Sequence, residues 1–263
     1  MQLQTDYTRR SKSRYFSLEV GDVTFYVDPA EMSKKSAYFE LLTTSHNFVE
    51  GIRGSGRLHD KSDEIACMLQ STCPTVYNIY PRTIRVQSIP TLARLADKYD
   101  LKNLQLCCEY FAVKANFQKY GNNDLVKLLQ TAIMYNYDSK LRENLINELM
   151  RRSQFVNNSG NSEVTREICS IIVAHSSQHS FTIILGGICH WCGQQKSVSL
   201  NNGSCCCCLW KCGRCESVYC LKCKLMPCMV EVEKHLRKAF ENCETEELRK
   251  EIESEMAERK ADL

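Results

Sequence analysis

The chain has 263 residues, of which 43% are apolar, enough to fill one large or two modest cores and to exclude a disordered chain. Its 34 basic and 31 acidic side chains give a net charge of +3, too near balance to predict binding of nucleic acid or membranes. No apolar segment follows Met1, and the longest apolar stretch, 181–188, is about eight residues where a membrane-spanning helix needs about twenty. The expected location is the cytoplasm and/or the nucleus.

Seventeen cysteines are the most unusual feature of the composition. In a reducing compartment they are expected to be thiols or metal ligands, and the alternative, a disulfide-bonded knot, is disfavoured because no secretion signal is found. Twelve of them lie within 189–243, which predicts a metal-binding segment. The other five are scattered among apolar residues and are predicted to be small buried side chains: Cys67, Cys73, Cys107, Cys108 and Cys169.

The chain starts with a basic segment, 1–14, that is predicted to be a flexible tail. Apolar and polar residues then alternate over 16–20 and again over 24–27. Gly21 and Asp22 lie between these runs and are typical of a turn, so the pattern predicts a β-hairpin.

Helices are predicted over most of the chain after this hairpin. Pro29 is typical of a first helical turn, and one helix is expected to reach residue 42 with a buried face formed by Met32, Phe39 and Leu42. A loop is predicted by Gly51, Gly54 and Gly56. From Pro90 onward, helical spacing predicts two helices, whose apolar positions are Leu92, Leu95, Ala96 and Tyr99, then Leu104, Cys107, Cys108 and Phe111.

The second half opens with a helix after Gly121, and two more are predicted before residue 180. Their apolar positions are Leu125, Leu128, Leu129 and Ala132, then Leu141, Leu145 and Leu149, then Ile168, Ile171 and Ile172. The last segment, 231–263, is predicted to be a charged helix. It either docks on the cysteine segment or forms a short coiled coil through Leu248, Ile252 and Met256.

Residues 15–117 resemble the BTB (also called POZ) domain, in the variety abundant in nematodes. The segments that carry the resemblance are VGDVTFYV at 20–27, MSKKSAYF at 32–39, YNIYP at 77–81 and LARLADKYDL at 92–101. The resemblance implies an α+β fold in which a small sheet is flanked by helices. An unrelated α+β domain with a similar pattern is the alternative.

The BTB resemblance also implies partners. Such domains commonly form homodimers, which close with twofold symmetry. In many of them a hydrophobic-x-Glu triplet after the third helix helps to dock a cullin scaffold of ubiquitin ligases, and Phe48-Val49-Glu50 falls near that place. The alternative is that Phe48 packs inside the domain. Residues 120–180 resemble the helical extension, BACK-like, that often follows BTB domains.

The cysteine module, 186–230, contains three C-x2-C pairs: Cys189 with Cys192, Cys212 with Cys215, and Cys220 with Cys223. Two thiolates at this spacing can bind one Zn²⁺, and a second pair completes a tetrahedron. Gly193 and Gly213 provide freedom for the turns. His190, inside the first pair, is predicted to be a surface residue.

The order of the pairs resembles FYVE and related treble-clef zinc modules. That resemblance implies one ion bound by Cys189, Cys192, Cys220 and Cys223. A second ion would be bound by Cys212 and Cys215 with partners drawn from Cys228, His235, Cys243 or the run 205–208, in which Cys205 and Cys208 form a further C-x2-C pair. Closed four-ligand sites leave no open position for substrate, so one or two structural zinc ions are expected.

The function expected from this domain order is that of a dimeric interaction adaptor, a substrate adaptor of a cullin-based ubiquitin ligase whose zinc module binds an unknown protein target. The alternative is a dimeric zinc-bearing scaffold or nuclear regulator without cullin binding. Catalysis is not expected, because the sequence contains no nucleophile elbow, P-loop or dinucleotide-binding glycine pattern.

Overall fold

The computed structural model describes residues 6–72, 84–152, 162–176, 181–185, 187–190, 193, 195–196, 208–213, 216–219 and 231–243. The chain divides into two compact units, Met1–Asn116 and Phe117–Leu263. In the described parts, no helix combines the length and the apolar character needed to cross a membrane.

The N-terminal unit is α+β and has a small three-stranded sheet in the order β2-β1-β3. Strands β1 (Phe16–Val20) and β2 (Val23–Val27) form the predicted antiparallel hairpin, and β3 (Ser55–Leu58) runs parallel to β1. The period of two sends alternate side chains of β1 into the core. Those buried side chains are Phe16, Leu18 and Val20. The hairpin prediction is confirmed.

Residues 6–14 are attached to the free side of β2, although 1–14 was predicted to be a flexible tail. The Tyr7 side chain is buried, and the Tyr7 carbonyl accepts a hydrogen bond from the N–H of Tyr26 at 2.6 Å. The guanidinium of Arg14 lies 5.5 Å from the centre of the Tyr7 ring. The prediction overlooked that one aromatic residue among basic ones is enough to attach the segment to the core.

Two helices replace the single one predicted after Pro29: α1 (Pro29–Ser33) and α2 (Ala37–Thr44). The break comes at Ser36, whose backbone is extended and whose Oγ accepts from the N–H of Phe39 at 3.1 Å. Serine favours this N-cap position because it satisfies an otherwise unpaired amide. Met32 and Phe39 are buried as predicted.

The loop predicted from three glycines is instead a helix and a strand, α3 (Val49–Arg53) and β3. Gly51 lies in α3, where a Cβ would come within 2.2 Å of the Ser45 carbonyl oxygen, and Gly56 lies in β3, where a Cβ would meet Leu42 at 3.1 Å. Only Gly54, with φ +67 at the end of α3, acts as a chain breaker. Gly51 and Gly56 are instead explained by close packing, because neighbouring atoms leave little room for a Cβ.

Among the described residues of this unit, three further helices follow: α4 (Ser62–Thr72), α5 (Ile89–Lys98) and α6 (Lys102–Lys114). The predicted helical face of α5 is confirmed. The following residues are buried as predicted: Leu92, Leu95, Ala96, Tyr99, Leu104 and Cys108.

The second unit starts with the three predicted helices, α7 (Asn122–Met134), α8 (Ser139–Arg152) and α9 (Glu163–Ser176). The following predicted positions are buried: Leu125, Leu128, Leu129 and Ala132, then Leu141, Leu145 and Leu149, then Ile168 and Ile172. Ile171, also predicted, is only half-buried. Ser162 caps α9, because its Oγ accepts from the N–H of Thr165 at 3.1 Å.

Residues 231–243 form a helix, α10, that packs on the helices of the same unit. Arg142 of α8 donates to Glu233 at 2.9 Å, and Arg237 donates to the carbonyl oxygen of Ile133 in α7 at 3.0 Å. The buried side chains of α10 have helical spacing: Val232, Leu236, Ala239 and Phe240. These bonds anchor α10 to α7 and α8, and its docking on the cysteine module, much of which lies outside the described residues, stays a prediction. The coiled-coil positions 248, 252 and 256 lie outside the described residues.

Short strands form the frame of the cysteine region. Strands β4 (Phe181–Leu185), β7 (Cys208–Cys212) and β8 (Val218–Tyr219) make one antiparallel sheet in the order β4-β7-β8. Strands β5 (Gly187–Ile188) and β6 (Gln195–Lys196) make a separate hairpin.

Candidate functional site

The first cysteine pair begins directly after β5 and is followed by β6. The N–H of Gly193 donates to the carbonyl oxygen of Cys189 at 2.9 Å, which closes a turn. Gly193 has φ +66, a left-handed conformation that glycine adopts without steric strain. The Cys189 side chain is fully buried, and His190 is exposed as predicted.

Cys212, the first cysteine of the second pair, ends β7 and starts a similar turn. The N–H of Glu216 donates to the carbonyl oxygen of Cys212 at 3.0 Å, and Glu216 has φ +58. The Cys212 N–H in turn donates to the carbonyl oxygen of Ser217 at 2.8 Å. The Cys212 side chain is 1% exposed.

The two turns are linked through β8. The N–H of His190 donates to the carbonyl oxygen of Val218 at 2.7 Å, and the His190 ring meets the Tyr219 ring edge to face at a centroid distance of 6.4 Å. The first turn therefore lies against the strand that leaves the second.

The structure describes only some of the remaining predicted ligands. Cys208 begins β7. Five positions lie outside the described residues: Cys192, Cys215, Cys220, Cys223 and Cys228. Among the residues that are described, no three His, Cys, Asp or Glu side chains cluster closely enough to hold a metal ion. The thiols of Cys189 and Cys212, each at the start of a closed turn, suit Zn²⁺, whose structural sites favour sulfur ligands at C-x2-C spacing.

Four of the scattered cysteines lie among the described residues and are partly or fully buried. Burial raises the pKa of the Cys108 thiol to about 12 and that of the Cys169 thiol to about 11. Desolvation also raises the pKa of Cys67 and Cys107. These thiols stay protonated at neutral pH, so they are poor ligands and poor nucleophiles. Cys73 lies outside the described residues.

The predicted partner-binding triplet lies on the surface of the N-terminal unit. Phe48 is the N-cap residue of α3 and is 49% exposed, so it does not pack inside the domain. Val49 and Ile52, one helical turn apart in α3, are 54% and 69% exposed. We refer to Phe48, Val49 and Ile52 as the α3 apolar surface. The triplet opens the third helix, whereas the resemblance places such a triplet after it.

A shallow cleft borders the α3 apolar surface. It is lined by Val49, Glu50, Arg53, Glu19 and Arg57, and Glu19 pairs with Arg57 at 3.2 Å. Glu50 thus lies at a boundary between exposed apolar side chains and a charged cleft, an arrangement typical of binding surfaces.

The sequence analysis did not predict that Ile52 belongs to the α3 apolar surface, nor that α6 carries a second exposed apolar surface. Ile52 follows Val49 by three residues, and that spacing within a helix is the signal that could have identified it. On α6, exposed apolar side chains recur at helical spacing: Leu106 (64% exposed), Tyr110 (56%) and Val113 (50%). They lie on a different face from the buried Leu104 and Cys108.

No protein-family model matches this sequence, and a search of curated proteins finds no match.

Proposed function

We propose that this protein is an interaction adaptor of the BTB type. It forms a homodimer through its N-terminal domain, docks a cullin scaffold through Phe48 and Glu50, and presents a zinc-stabilised module to a protein target for ubiquitination in the cytoplasm or nucleus. Catalysis is left to the ligase machinery, and the zinc ions are structural.

The observation that carries the proposal is the exposure of Phe48 next to Glu50. The Phe48 side chain, at the start of α3, is half exposed, whereas the apolar side chains of Phe39 and Met32 in the same unit are buried. Fully burying such a side chain contributes about 1.5–3 kcal/mol, so its place on the surface is best explained by a partner that covers it. Large aromatic anchors beside a charge are typical of interface hot spots.

The architecture of the N-terminal unit adds support. A hairpin, a helix that starts at Ala37 and two closing helices follow one another in the order that the BTB resemblance implies. Two of the four segments that carry the resemblance, 32–39 and 92–101, contact each other through Ser36 and Tyr99.

One observation favours the alternative function. The triplet lies at the start of α3 and not after the third helix, so its position differs from that of cullin-docking triplets. A dimeric zinc-bearing scaffold without a cullin would use the α3 apolar surface for another contact, such as its own dimer.

The test is binding of the purified full chain to the cullin scaffold of BTB ligases. The variant Phe48→Ala, Glu50→Ala is compared with wild type and with Leu106→Ala, Glu109→Ala, a matched apolar-acidic pair on α6. Light scattering reports whether each protein is a dimer. Binding that is lost only in the first variant supports the adaptor. A folded wild type that does not bind the scaffold rejects it, and a dimer that dissociates in the first variant assigns the α3 apolar surface to dimerisation.

A further inference from the structure

We infer that α6 packs against α6 of a second copy of this chain, with the two helices parallel. This inference rests on the homodimer of the proposed function and names the surface that forms it. It leaves the α3 apolar surface free for the docking step of that function.

The exposed apolar face of α6 lies opposite its buried face. Leu104, Cys108 and Ala112 recur every four residues and are buried. Leu106 and Tyr110 come two residues after Leu104 and Cys108, about 200° further around the helix, and are 64% and 56% exposed. The helix therefore presents a row of apolar side chains away from the core of its own unit.

The spacing of this row is that of a two-stranded coiled coil. Four exposed residues are separated in turn by three, four and three positions, which are the a and d positions of successive heptads: Asn103, Leu106, Tyr110 and Val113. A narrow seam of this kind packs against another helix at a small crossing angle. The expected occupant of the α6 seam is therefore a helix.

The length of α6 sets the expected strength of the contact. The helix has 13 residues, just under two heptads, but its packing on its own unit already holds it helical, so pairing does not have to supply the free energy of helix formation. Its exposed face is smaller than the surface of about 800 Å² that each partner buries in a standard interface. The dimer should therefore dissociate on dilution.

The charges beside the seam make a second copy a matching occupant. In a parallel pair, the residue at a g position lies beside the residue five positions later, at e, in the other helix. Glu109 is at g and Lys114 is at e, so the two have opposite charges where the copies meet, and a twofold axis repeats the pair. The Lys114 amine lies 5.9 Å from the centre of the Tyr110 ring, which places it beside the seam.

Asn103 favours the parallel orientation. In a parallel pair, Asn103 meets the same residue of the second copy, and the two carboxamides can hydrogen-bond to each other. In the antiparallel pair that aligns the same four positions, a meets d, so Asn103 would face Val113 and its polar group would be left without a partner. A polar residue at an a position fixes the orientation of coiled coils in this way.

Sedimentation equilibrium of the full chain over a range of concentrations gives the dissociation constant of the dimer. The variant Leu106→Ala, Tyr110→Ala removes the two central side chains of the seam, and we expect it to weaken the dimer at least about a hundredfold. Both side chains are exposed, so the variant should unfold in urea as wild type does. Phe48→Ala, Ile52→Ala on the α3 apolar surface is the matched control and should leave the dissociation constant unchanged.

Charge exchange tests the contact between the copies directly. Glu109→Lys and Lys114→Glu each place like charges opposite each other in both pairs, and each should weaken the dimer about tenfold. An equimolar mixture of these two variants should regain the wild-type affinity, because opposite charges then meet in both pairs. Only a contact between chains can give this recovery. Lys102→Glu is the control, since position 102 faces Cys107 in a parallel pair.

The outcomes separate this inference from the homodimer itself. A wild type that is monomeric at every concentration rejects both. A dimer that Leu106→Ala, Tyr110→Ala leaves intact, or that only Phe48→Ala, Ile52→Ala dissociates, overturns the inference and keeps the homodimer. Weakening by Lys102→Glu would overturn the parallel arrangement, because Glu109 faces Lys102 when the helices are antiparallel.

Discussion

Ser36 and Tyr99 lie 63 residues apart in the sequence and are joined by one hydroxyl group. Ser36 Oγ donates to the carbonyl oxygen of Tyr99 while accepting from the N–H of Phe39. The Tyr99 ring lies 5.5 Å from the Phe39 ring and 5.0 Å from the Tyr38 ring, measured between centroids. One side chain therefore caps α2 and fixes the end of α5 against it.

Replacing Ser36 by alanine should destabilise the N-terminal unit. The variant loses the cap of α2 and leaves the buried Tyr99 carbonyl without this donor, so we expect the free energy of unfolding to fall by about 2 kcal/mol. Urea unfolding measures the change. Thr44→Ala is the control, because its exposed hydroxyl bonds only to the Glu40 carbonyl in the same helix. Equal losses in both variants would contradict the role of Ser36.

Asp60 should make this unit sensitive to acid. Its carboxylate is 3% exposed and accepts hydrogen bonds from Arg94, Lys98 and the Tyr99 hydroxyl. Burial raises the pKa of Asp60, but these donors outweigh burial and hold the pKa below its ordinary value. The stability from this charge is present above the unfolded pKa of about 3.9 and is lost as pH falls through the lower folded pKa.

Asp60→Asn tests this relationship. We expect a loss of about 2 kcal/mol at pH 7, since a charged acceptor is replaced by a neutral one, and a flatter decline of stability below about pH 4. Urea unfolding at a series of pH values gives both quantities. Asp22→Asn, in the exposed hairpin turn, should keep the wild-type profile. An Asp60→Asn profile as steep as that of wild type would exclude Asp60 as its cause.

Gly51→Ala distinguishes steric contact from helix propensity. Propensity alone predicts that alanine in α3 stabilises the chain by about 1 kcal/mol. The added Cβ would come within 2.2 Å of the Ser45 carbonyl oxygen, so the backbone has to shift, and we expect a net loss of about 2 kcal/mol. Thermal unfolding reports the sign. At Gly121, where nothing lies within 4 Å of a Cβ, alanine should change stability far less.

Arg142 should hold α10 in place. Its guanidinium is 13% exposed and donates to Glu233, to Asn136 and to the Tyr137 carbonyl. Arg142→Ala leaves Glu233 without this partner, so we expect faster hydrogen exchange over 231–243, by a factor that corresponds to about 2 kcal/mol. The 71% exposed Arg151 is the matched control. Unchanged exchange in α10 after Arg142→Ala would show that apolar packing alone anchors the helix.

Removal of the metal should unfold one region only. Because metal binding supplies folding free energy, a strong chelator is expected to open 189–228 to proteases while the unit Met1–Asn116 stays resistant. Mass spectrometry of the fragments locates the cleavage sites, and excess Zn²⁺ added after the chelator should restore protection. A protease pattern that chelation leaves unaltered would argue against a structural zinc ion.

Local patterns predicted most of the elements of this fold. The β1–β2 hairpin and the buried faces of α5, α7, α8 and α9 follow from periods of 2 and 3.6 residues, which neighbouring residues alone determine. The break between α1 and α2 was missed although Ser36 caps α2 through the nearby N–H of Phe39, which is a local signal; only its bond to Tyr99 is beyond the reach of neighbouring residues. Gly51 and Gly56 indicate loops in general, but here they make room for Ser45 and Leu42.

The same distinction applies to the candidate site. The C-x2-C spacing predicted tight turns, and Cys189 and Cys212 each start one. The hydrogen bond between His190 and Val218, which brings Cys189 to β8, is a tertiary contact that spacing does not encode. The exposure of Phe48 was likewise undetermined, since an aromatic residue before a short helix can face either way.

The parallel pairing of β1 with β3 has a consequence for how the chain is made. β1 is the middle strand, with β2 on one side and β3 on the other. The chain reaches β3 only after α1, α2 and α3 have been translated. Until residue 58 has left the ribosome, the free edge of β1 presents unpaired N–H and C=O groups with which a strand of another nascent copy can pair. The interval between the synthesis of β2 and that of β3 is therefore the one in which wrong strand pairing is open to this chain.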